Sequence, residues 1–320
     1  MLVTGAGGFI GSQLVERLVG LGAHVRAFVR YTSGGGWGWL EHSDLKSEVE
    51  VVLGDVQDAD SVEGAVAGSE VVFHLAALIA IPYSYSAPLS YVRTNVEGTL
   101  NVLRAARTAG VARVVHTSTS EVYGTAVRVP IAEDHPLQGQ SPYSASKIGG
   151  DKMAEAFFQS YGLPVATIRP FNTYGPRQSA RAIIPTIVTQ ALAGSEVRLG
   201  NLAPTRDLTF VADTVDAFVR LADCPDAVGS VVNIGTGREI SVGDLAELIL
   251  RVIGRELPVV SEHERTRPAG SEVERLCADA SRARALMGWE PQWTLEAGLG
   301  KTISWIGENL DRYRVGTYVR

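Results

Sequence analysis

Three features of the sequence predict an α/β fold, a doubly wound parallel sheet with a smaller C-terminal substrate lobe interleaved with it. Short β-branched runs alternate with longer amphipathic stretches through the first half of the chain, the rhythm of a parallel sheet with crossover helices. A glycine-rich turn follows the first run directly, at the place where such a sheet opens toward a ligand. After Pro170 the rhythm breaks into loops rich in Asn, Thr, Pro and Arg. The predicted class is therefore Rossmann-like, with residues 1–170 forming the sheet domain and residues 171–320 forming mainly the second lobe.

Leu2-Val3 opens the first strand, Ser12–Val19 the first helix, His24–Val29 the second strand, Val51–Leu53 the third and Ser61–Val66 the second helix. Glu70–His74, the helical pattern Val96–Ala109, Ala112–His116, a helix from near Tyr143 and the apolar run Pro164–Ile168 continue the series. That suffices for six or more strands covered by helices on both faces. Ile183–Leu192, Thr214–Leu221 and Val242–Val252 read as helices of the second lobe. Only Met1–Val3 precede the glycine turn, where about five strand residues are usual, so the start is expected to be trimmed or internal. Ser33–Gly36 predicts a flexible loop that Trp37 and Trp39 pin down.

Composition excludes several classes. With 45% hydrophobic residues the chain is neither disordered nor collagenous. Its 29 Lys+Arg against 35 Asp+Glu leave a net charge of −6, so no nucleic-acid partner is expected. The longest apolar stretch, Val71–Ile81, includes His74 and falls short of the roughly 20 residues of a spanning helix, so no membrane is expected either. Met1–Gly5 carries neither a charged nor an apolar leader segment, so secretion is not expected. Cys224 and Cys277 form no CxxC, which suits free buried thiols in a reducing cytoplasm. The six His show no metal-ligand spacing, and His74 and His116 at strand ends are expected to be packed or hydrogen-bonded. No metal is expected.

Gly5-Ala6-Gly7-Gly8-Phe9-Ile10-Gly11 lies between a strand and a helix, where backbone can approach a pyrophosphate and helix-start amides favour anions. Its spacing is GxxGxxG through Gly5, Gly8 and Gly11, departing from GxGxxG because position 10 is Ile. A bare glycine turn is also just a tight turn; its βαβ setting makes it a dinucleotide site. Asp55-Val56 after the third strand is placed to meet adenine, and Leu75-Ala76-Ala77 after the fourth offers small side chains beside the cofactor. The second strand ends Phe28-Val29-Arg30-Tyr31, with no acid for a ribose 2′-hydroxyl. Arg30 there leans to the 2′-phosphate of NADP over NAD, or else stacks on adenine.

Tyr143-Ser144-Ala145-Ser146-Lys147 sets Tyr and Lys one helical turn apart. An ammonium beside the phenol stabilises phenolate, so that Tyr143 can accept a hydroxyl proton. Thr117-Ser118-Thr119-Ser120-Glu121-Val122-Tyr123-Gly124 upstream makes the pattern specific.

With these motifs the chain resembles the extended short-chain dehydrogenase/reductase family, and within it the nucleotide-sugar-modifying enzymes. The resemblance implies that Thr119, Tyr143 and Lys147 act at the sugar O4, that Asn95 is the active-site Asn, and that the nicotinamide cofactor, NAD(P), is tightly bound and recycled. It also implies that Asn172, Arg177, Arg181, Arg206 and Arg267 hold the sugar diphosphate and nucleoside, with Asp207 and Asp213 among the neighbouring contacts. A homodimer through Val96–Ala109 and Ser144–Tyr161 is implied as well.

Members of that family oxidise C4 first and differ in what the 4-ketone then permits. Glu121, with Ser120 before it, resembles the Asp-Glu pair of 4,6-dehydratases, in which the Glu removes the C5 proton and water leaves from C6. Ser120 is a poor proton donor, so Glu121 is expected to carry the proton itself or with the help of a water. Trp37-Gly38-Trp39, Leu78–Tyr85, Leu137–Pro142 and Asn172–Arg181 resemble nucleotide-diphosphate N-acetylglucosamine 4,6-dehydratases of the legionaminic-acid type. Thr-Ser-Glu is also similar to glucuronate decarboxylases, and Arg177 or Arg181 could hold a uronate carboxylate. A nucleotide-linked uronate 4-epimerase or decarboxylase is the second reading. A non-catalytic dinucleotide sensor is the third, disfavoured by the presence of Thr119, Glu121, Tyr143 and Lys147 together.

Overall fold

The computed structural model describes residues 1–262, 268–313 and 315. Its first six strands are β1 (Leu2–Thr4), β2 (Val25–Arg30), β3 (Val49–Gly54), β4 (Val71–His74), β5 (Arg113–Thr117) and β6 (Val165–Pro170). The second half adds β7 (Asn172–Tyr174), β8 (Val197–Leu199), β9 (Thr205–Phe210), β10 (Val231–Ile234), β11 (Glu239–Ser241), β12 (Val259–Ser261) and β13 (Arg275–Leu276). The helices are α1 (Phe9–Gly20), α2 (Ala59–Val66), α3 (Ile81–Ser86), α4 (Pro88–Tyr91), α5 (Gly98–Ala109), α6 (Pro142–Tyr161), α7 (Ile183–Ala193), α8 (Val211–Asp223), α9 (Val242–Ile253), α10 (Ser281–Met287) and α11 (Leu295–Glu308).

The main sheet has seven strands in the order β10-β6-β5-β4-β1-β2-β3, all paired in parallel. Its strands are apolar on both faces because both are covered. Leu2, Val72 and Val114 pack into the layer of α2, α5 and α6, whose core residues include Val62, Val102 and Phe157. Their sequence neighbours Val3, Phe73 and Val115 point the other way, into the layer containing Leu14 and Val215 of α1 and α8. This one-residue alternation makes the sheet doubly wound.

The second lobe is interleaved: β10 returns to the main sheet beside β6, while β7, β9, β11 and β13 form a smaller sheet. β1 has three residues, and pairing extends one further through Arg26 N donating to Met1 O. The Trp37–Trp39 segment is pinned as expected. Trp39 N donates to Gly7 O at 3.0 Å, its ring meets Trp305 edge-on at 5.1 Å, and the Arg312 guanidinium lies over it. Cys224 is only half-buried, with its thiol on Leu286 O, so the expected burial holds for Cys277 alone. No helix among the described residues is long and apolar enough to cross a membrane.

The sheet order reverses at β1, and in such sheets ligands bind off the carboxyl ends of the strands at the reversal. Here those ends lead into the glycine turn, Leu75–Ala77, and Ser118–Glu121.

Candidate active site

The turn after β1 is built for close approach. Gly5 has the left-handed φ of 69°. A Cβ on it would stand 2.8 Å from Ala76 N, and one on Gly11 would stand 2.3 Å from Gly5 O. Only glycine lets α1 start so near the strand. Gly8 caps α1 without a side chain and the first turn holds no acid. The first intrahelical amide is Ser12 N, on Gly8 O, so the amides of Phe9, Ile10 and Gly11 are left for an anion. This cradle fits a dinucleotide pyrophosphate.

The wall beside it is fixed by a buried polar chain. Thr4 Oγ1 accepts from Leu75 N and Ala76 N, both at 3.1 Å, and lies 2.8 Å from His74 Nδ1. His74 Nε2 lies 3.0 Å from Thr99 Oγ1, whose proton goes to Asn95 O. These directions assign His74 as the neutral Nε2–H tautomer. Burial, followed by the charges of His116 and Lys147, holds its pKa well below the ordinary histidine value. Asn95, in a π-helical stretch from Val92 to Glu97, accepts from Leu78 N and donates to Leu78 O and Ser146 Oγ. Its amide thus joins the cofactor wall to α6. Arg30 is 71% exposed, with Nε 3.7 Å from Asp55 Oδ2. Val56 is buried, where a Cβ on Gly98 would meet it.

α6 begins abruptly because Ser141 and Ser144 form a reciprocal capping box with Pro142 in the first position. Tyr143, Lys147 and Asp151 follow at four-residue spacing and are all buried. Thr119 caps the 3-10 turn Ser120–Tyr123, and its hydroxyl reaches the Tyr143 phenol. The Glu121 carboxylate is buried near enough to Tyr143 to oppose phenolate. Ser120 is buried beside it.

Lys147 Nζ donates to Thr117 O at 2.6 Å, and the Tyr143 pKa is raised, first by burial and then by the charges of Glu121, Tyr91 and Asp151 against the opposing Thr119 hydrogen bond. Burial, with these charges added, therefore favours the protonated phenol. Burial also lowers the Lys147 pKa, with Asp151 opposing.

Beneath the pair lies a network that sequence reading missed. Asp151 accepts from His116 Nε2 at 3.0 Å, Ser118 Oγ at 2.6 Å and Arg169 at 2.8 Å. The His116 and Arg169 interactions outweigh burial and hold Asp151 well below the carboxylate range. The available signals were Asp151 continuing the Tyr143–Lys147 helix stripe and Arg169 ending an apolar strand, where an isolated cation needs a partner.

The proposed substrate ligands fall into three groups. Asn172 on β7 has a buried Oδ1 with no partner among the described residues, and the charge of Arg181, exposed near Ser179, is felt at the Tyr91 phenol, whose ring lies 6.2 Å from that of Tyr143. Arg206 is buried with Nη2 3.5 Å from Glu272. Arg177, in contrast, directs its guanidinium to Ser12 and Glu16 of α1. Asp207 is occupied by the amides of Thr236, Gly237 and Ala278, and Asp213 by those of Gln292 and Trp293; both hold the lobe together. Arg267 lies outside the described residues.

The family model for GDP-mannose 4,6-dehydratase matches residues 2–302, nearly the whole chain and all the motifs above. The chain belongs to this family of nucleotide-sugar dehydratases and epimerases. It is 40% identical over 309 residues to a UDP-glucose 4-epimerase of Mycolicibacterium smegmatis, covering 94% of this chain and 96% of that protein. It is 36% identical over 310 residues to a dTDP-glucose 4,6-dehydratase of Streptomyces griseus, covering 95% and 93%. The structure of the dTDP-glucose 4,6-dehydratase DesIV from Streptomyces venezuelae, solved with NAD bound, superposes with a TM-score of 0.89 at 31% identity, covering 98% of each chain.

Proposed function

We propose that this family member is a nucleotide-sugar 4,6-dehydratase acting on a nucleotide-diphosphate N-acetylhexosamine of the legionaminic-acid type and forming a 4-keto-6-deoxy sugar. The observation that carries this reading is the buried Glu121 carboxylate beside Thr119 and Tyr143. C4 oxidation and 4-epimerisation need no carboxylate there, whereas proton removal at C5 needs a base.

Tyr143 takes the O4 proton, with Thr119 sharing the hydrogen bond, and Lys147 presents its charge from the Thr117 carbonyl below. The dinucleotide, which the Gly5–Gly11 cradle would hold, would supply a positive ring that favours phenolate, a hydride acceptor for C4 and, once water has left, a hydride donor for C6, with C5 taking back a proton from solvent. Glu121 removes the C5 proton made acidic by the ketone and delivers it to the departing C6 hydroxyl, since Ser120 is a poor acid. Asn172, Arg206 and Arg181 suit the diphosphate side. Arg267 completes that set, while Arg177 acts through α1.

Arg30, exposed at the end of β2, favours NADP over NAD. Residues 1–170 serve the dinucleotide and residues 171–320 mainly the sugar nucleotide. A homodimer through α5 and α6 follows the same resemblance, and free thiols suit the cytoplasm. A second reading, a nucleotide-linked glucuronate 4-epimerase or decarboxylase, draws on Arg181 near Tyr91 as a carboxylate partner. Mass spectrometry of products from GDP-N-acetylglucosamine, UDP-N-acetylglucosamine and UDP-glucuronate decides. Loss of water from an N-acetylhexosamine supports the dehydratase. Loss of carbon dioxide, or an isomer of unchanged mass from the uronate, replaces it with the second reading.

A further inference from the structure

We propose that Arg169 is a positioning residue that holds the Glu121 turn in register with the Tyr143–Lys147 helix, so that C4 oxidation and C5 proton removal act on one sugar pose. The inference rests on the dehydratase reading given above.

The two halves of the chemistry lie on separate elements. Tyr143 and Lys147 are on α6, whereas Glu121 is on the short turn Ser120–Tyr123 after β5. A four-residue 3-10 turn has little internal hydrogen bonding to fix its pose, so something outside must set it. Arg169, at the end of β6, reaches both ends of the turn and the helix with one planar fork. Its Nε donates to Ser118 Oγ at 3.2 Å, before the turn. Its Nη1 donates to Tyr123 Oη at 2.7 Å, at the turn's last residue, and the guanidinium lies 4.7 Å over that ring. Its Nη2 donates to Asp151 Oδ2 at 2.8 Å, two helical turns beyond Tyr143 on the same face.

Every member of this arrangement is buried: Arg169 is 3% exposed, Asp151 6%, Ser118 5% and Tyr123 0%. Tyr123 passes its own proton to Asn233 Oδ1 on β10 at 2.7 Å, while Asn233 Nδ2 donates to Ile131 O and its backbone N–H to Glu133 Oε1. A guanidinium stays charged at all working pH and its donors lie at fixed angles. The fork therefore transmits position rather than protons. Lysine, with one rotatable ammonium, cannot meet three such acceptors in one geometry.

Tyr123→Phe removes the acceptor at the far end of the turn without removing a charge, and touches neither Tyr143 nor Glu121. Stopped-flow absorbance of the nicotinamide follows C4 oxidation, and mass spectrometry follows water loss, on the same purified protein. Expected are an oxidation burst within about twofold of the parent and water loss slowed about tenfold or more, a barrier change of roughly 1.4 kcal/mol. Arg169→Lys, which retains the charge opposite Asp151, is expected to show the same split, and covers the case in which Tyr123→Phe does not fold. Equal slowing of both steps, or no slowing of either, overturns the proposal. A parent protein that oxidises C4 but loses no water from any sugar overturns the dehydratase reading first, and the positioning role with it.

Discussion

Replacing Thr4 by Val removes one hydroxyl and keeps the side-chain shape. That hydroxyl accepts from Leu75 N and Ala76 N and donates to His74 Nδ1, in a site where Thr4 is 1% exposed. Leu75 N retains the Thr4 carbonyl at 3.3 Å as an alternative acceptor. Two groups are then orphaned, the buried His74 Nδ1, costing about 1–3 kcal/mol, and the half-buried Ala76 amide, costing at most as much. The expected loss is therefore about 1–6 kcal/mol, against a typical domain stability of about 5–15 kcal/mol. The damage also reaches function, because the same segment lies against Gly5 and walls the dinucleotide site. Guanidinium unfolding and dinucleotide titration by tryptophan fluorescence measure the two effects. Thr4→Ser, which restores the hydroxyl, is expected to recover most of both. A Val variant as stable as the parent, binding dinucleotide as tightly, refutes the assignment of Thr4 as the junction of this network.

Tyr143→Phe is expected to reduce C4 oxidation by about 10²–10⁴-fold, the usual worth of a positioned proton acceptor; near-parent turnover removes Tyr143 from that role. Glu121→Gln should leave the oxidation burst intact while water loss stops, and water loss at the parent rate would assign the C5 proton elsewhere. Arg30→Asp should shift preference from NADP toward NAD by about tenfold or more, from the roughly 1.5–3 kcal/mol of a hydrogen bond to a charged group; unchanged binding of both dinucleotides rules out a phosphate contact. Stability should fall on acidification below about pH 6.5. His74 is held neutral in the fold with a pKa well below its unfolded value, so the unfolded chain takes up a proton that the native chain refuses, costing up to about 1.4 kcal/mol per pH unit. A melting midpoint unchanged between about pH 7.5 and 5.5 contradicts the neutral buried ring.

The periodicity and the motifs determined the parallel sheet, the glycine cradle and the Tyr143–Lys147 pair, because each is set by residues close in sequence. β-branched runs bury on both faces wherever helices cover them, Gly5 and Gly11 are required by a local strand-to-helix approach, and a four-residue spacing fixes one helix face. The pinning of the Trp37–Trp39 segment was legible for a similar reason, since two tryptophans seldom remain in water. What tertiary structure alone decided is where the charged side chains go. Arg177 reads as a substrate cation until the fold brings Glu16 and Ser12 of α1 to it, and Asp207 and Asp213 read as ligand contacts until distant backbone amides occupy them. Lys147 reads as the direct stabiliser of phenolate, yet its ammonium rests on the Thr117 carbonyl, and burial raises the Tyr143 pKa. The Arg169–Asp151–Tyr123 group joins three elements far apart in the chain, and its members acquire meaning only once buried together. The physical reason is common to all four cases: sequence spacing fixes which face a residue occupies, while electrostatics depends on burial and on partners that only the folded chain supplies.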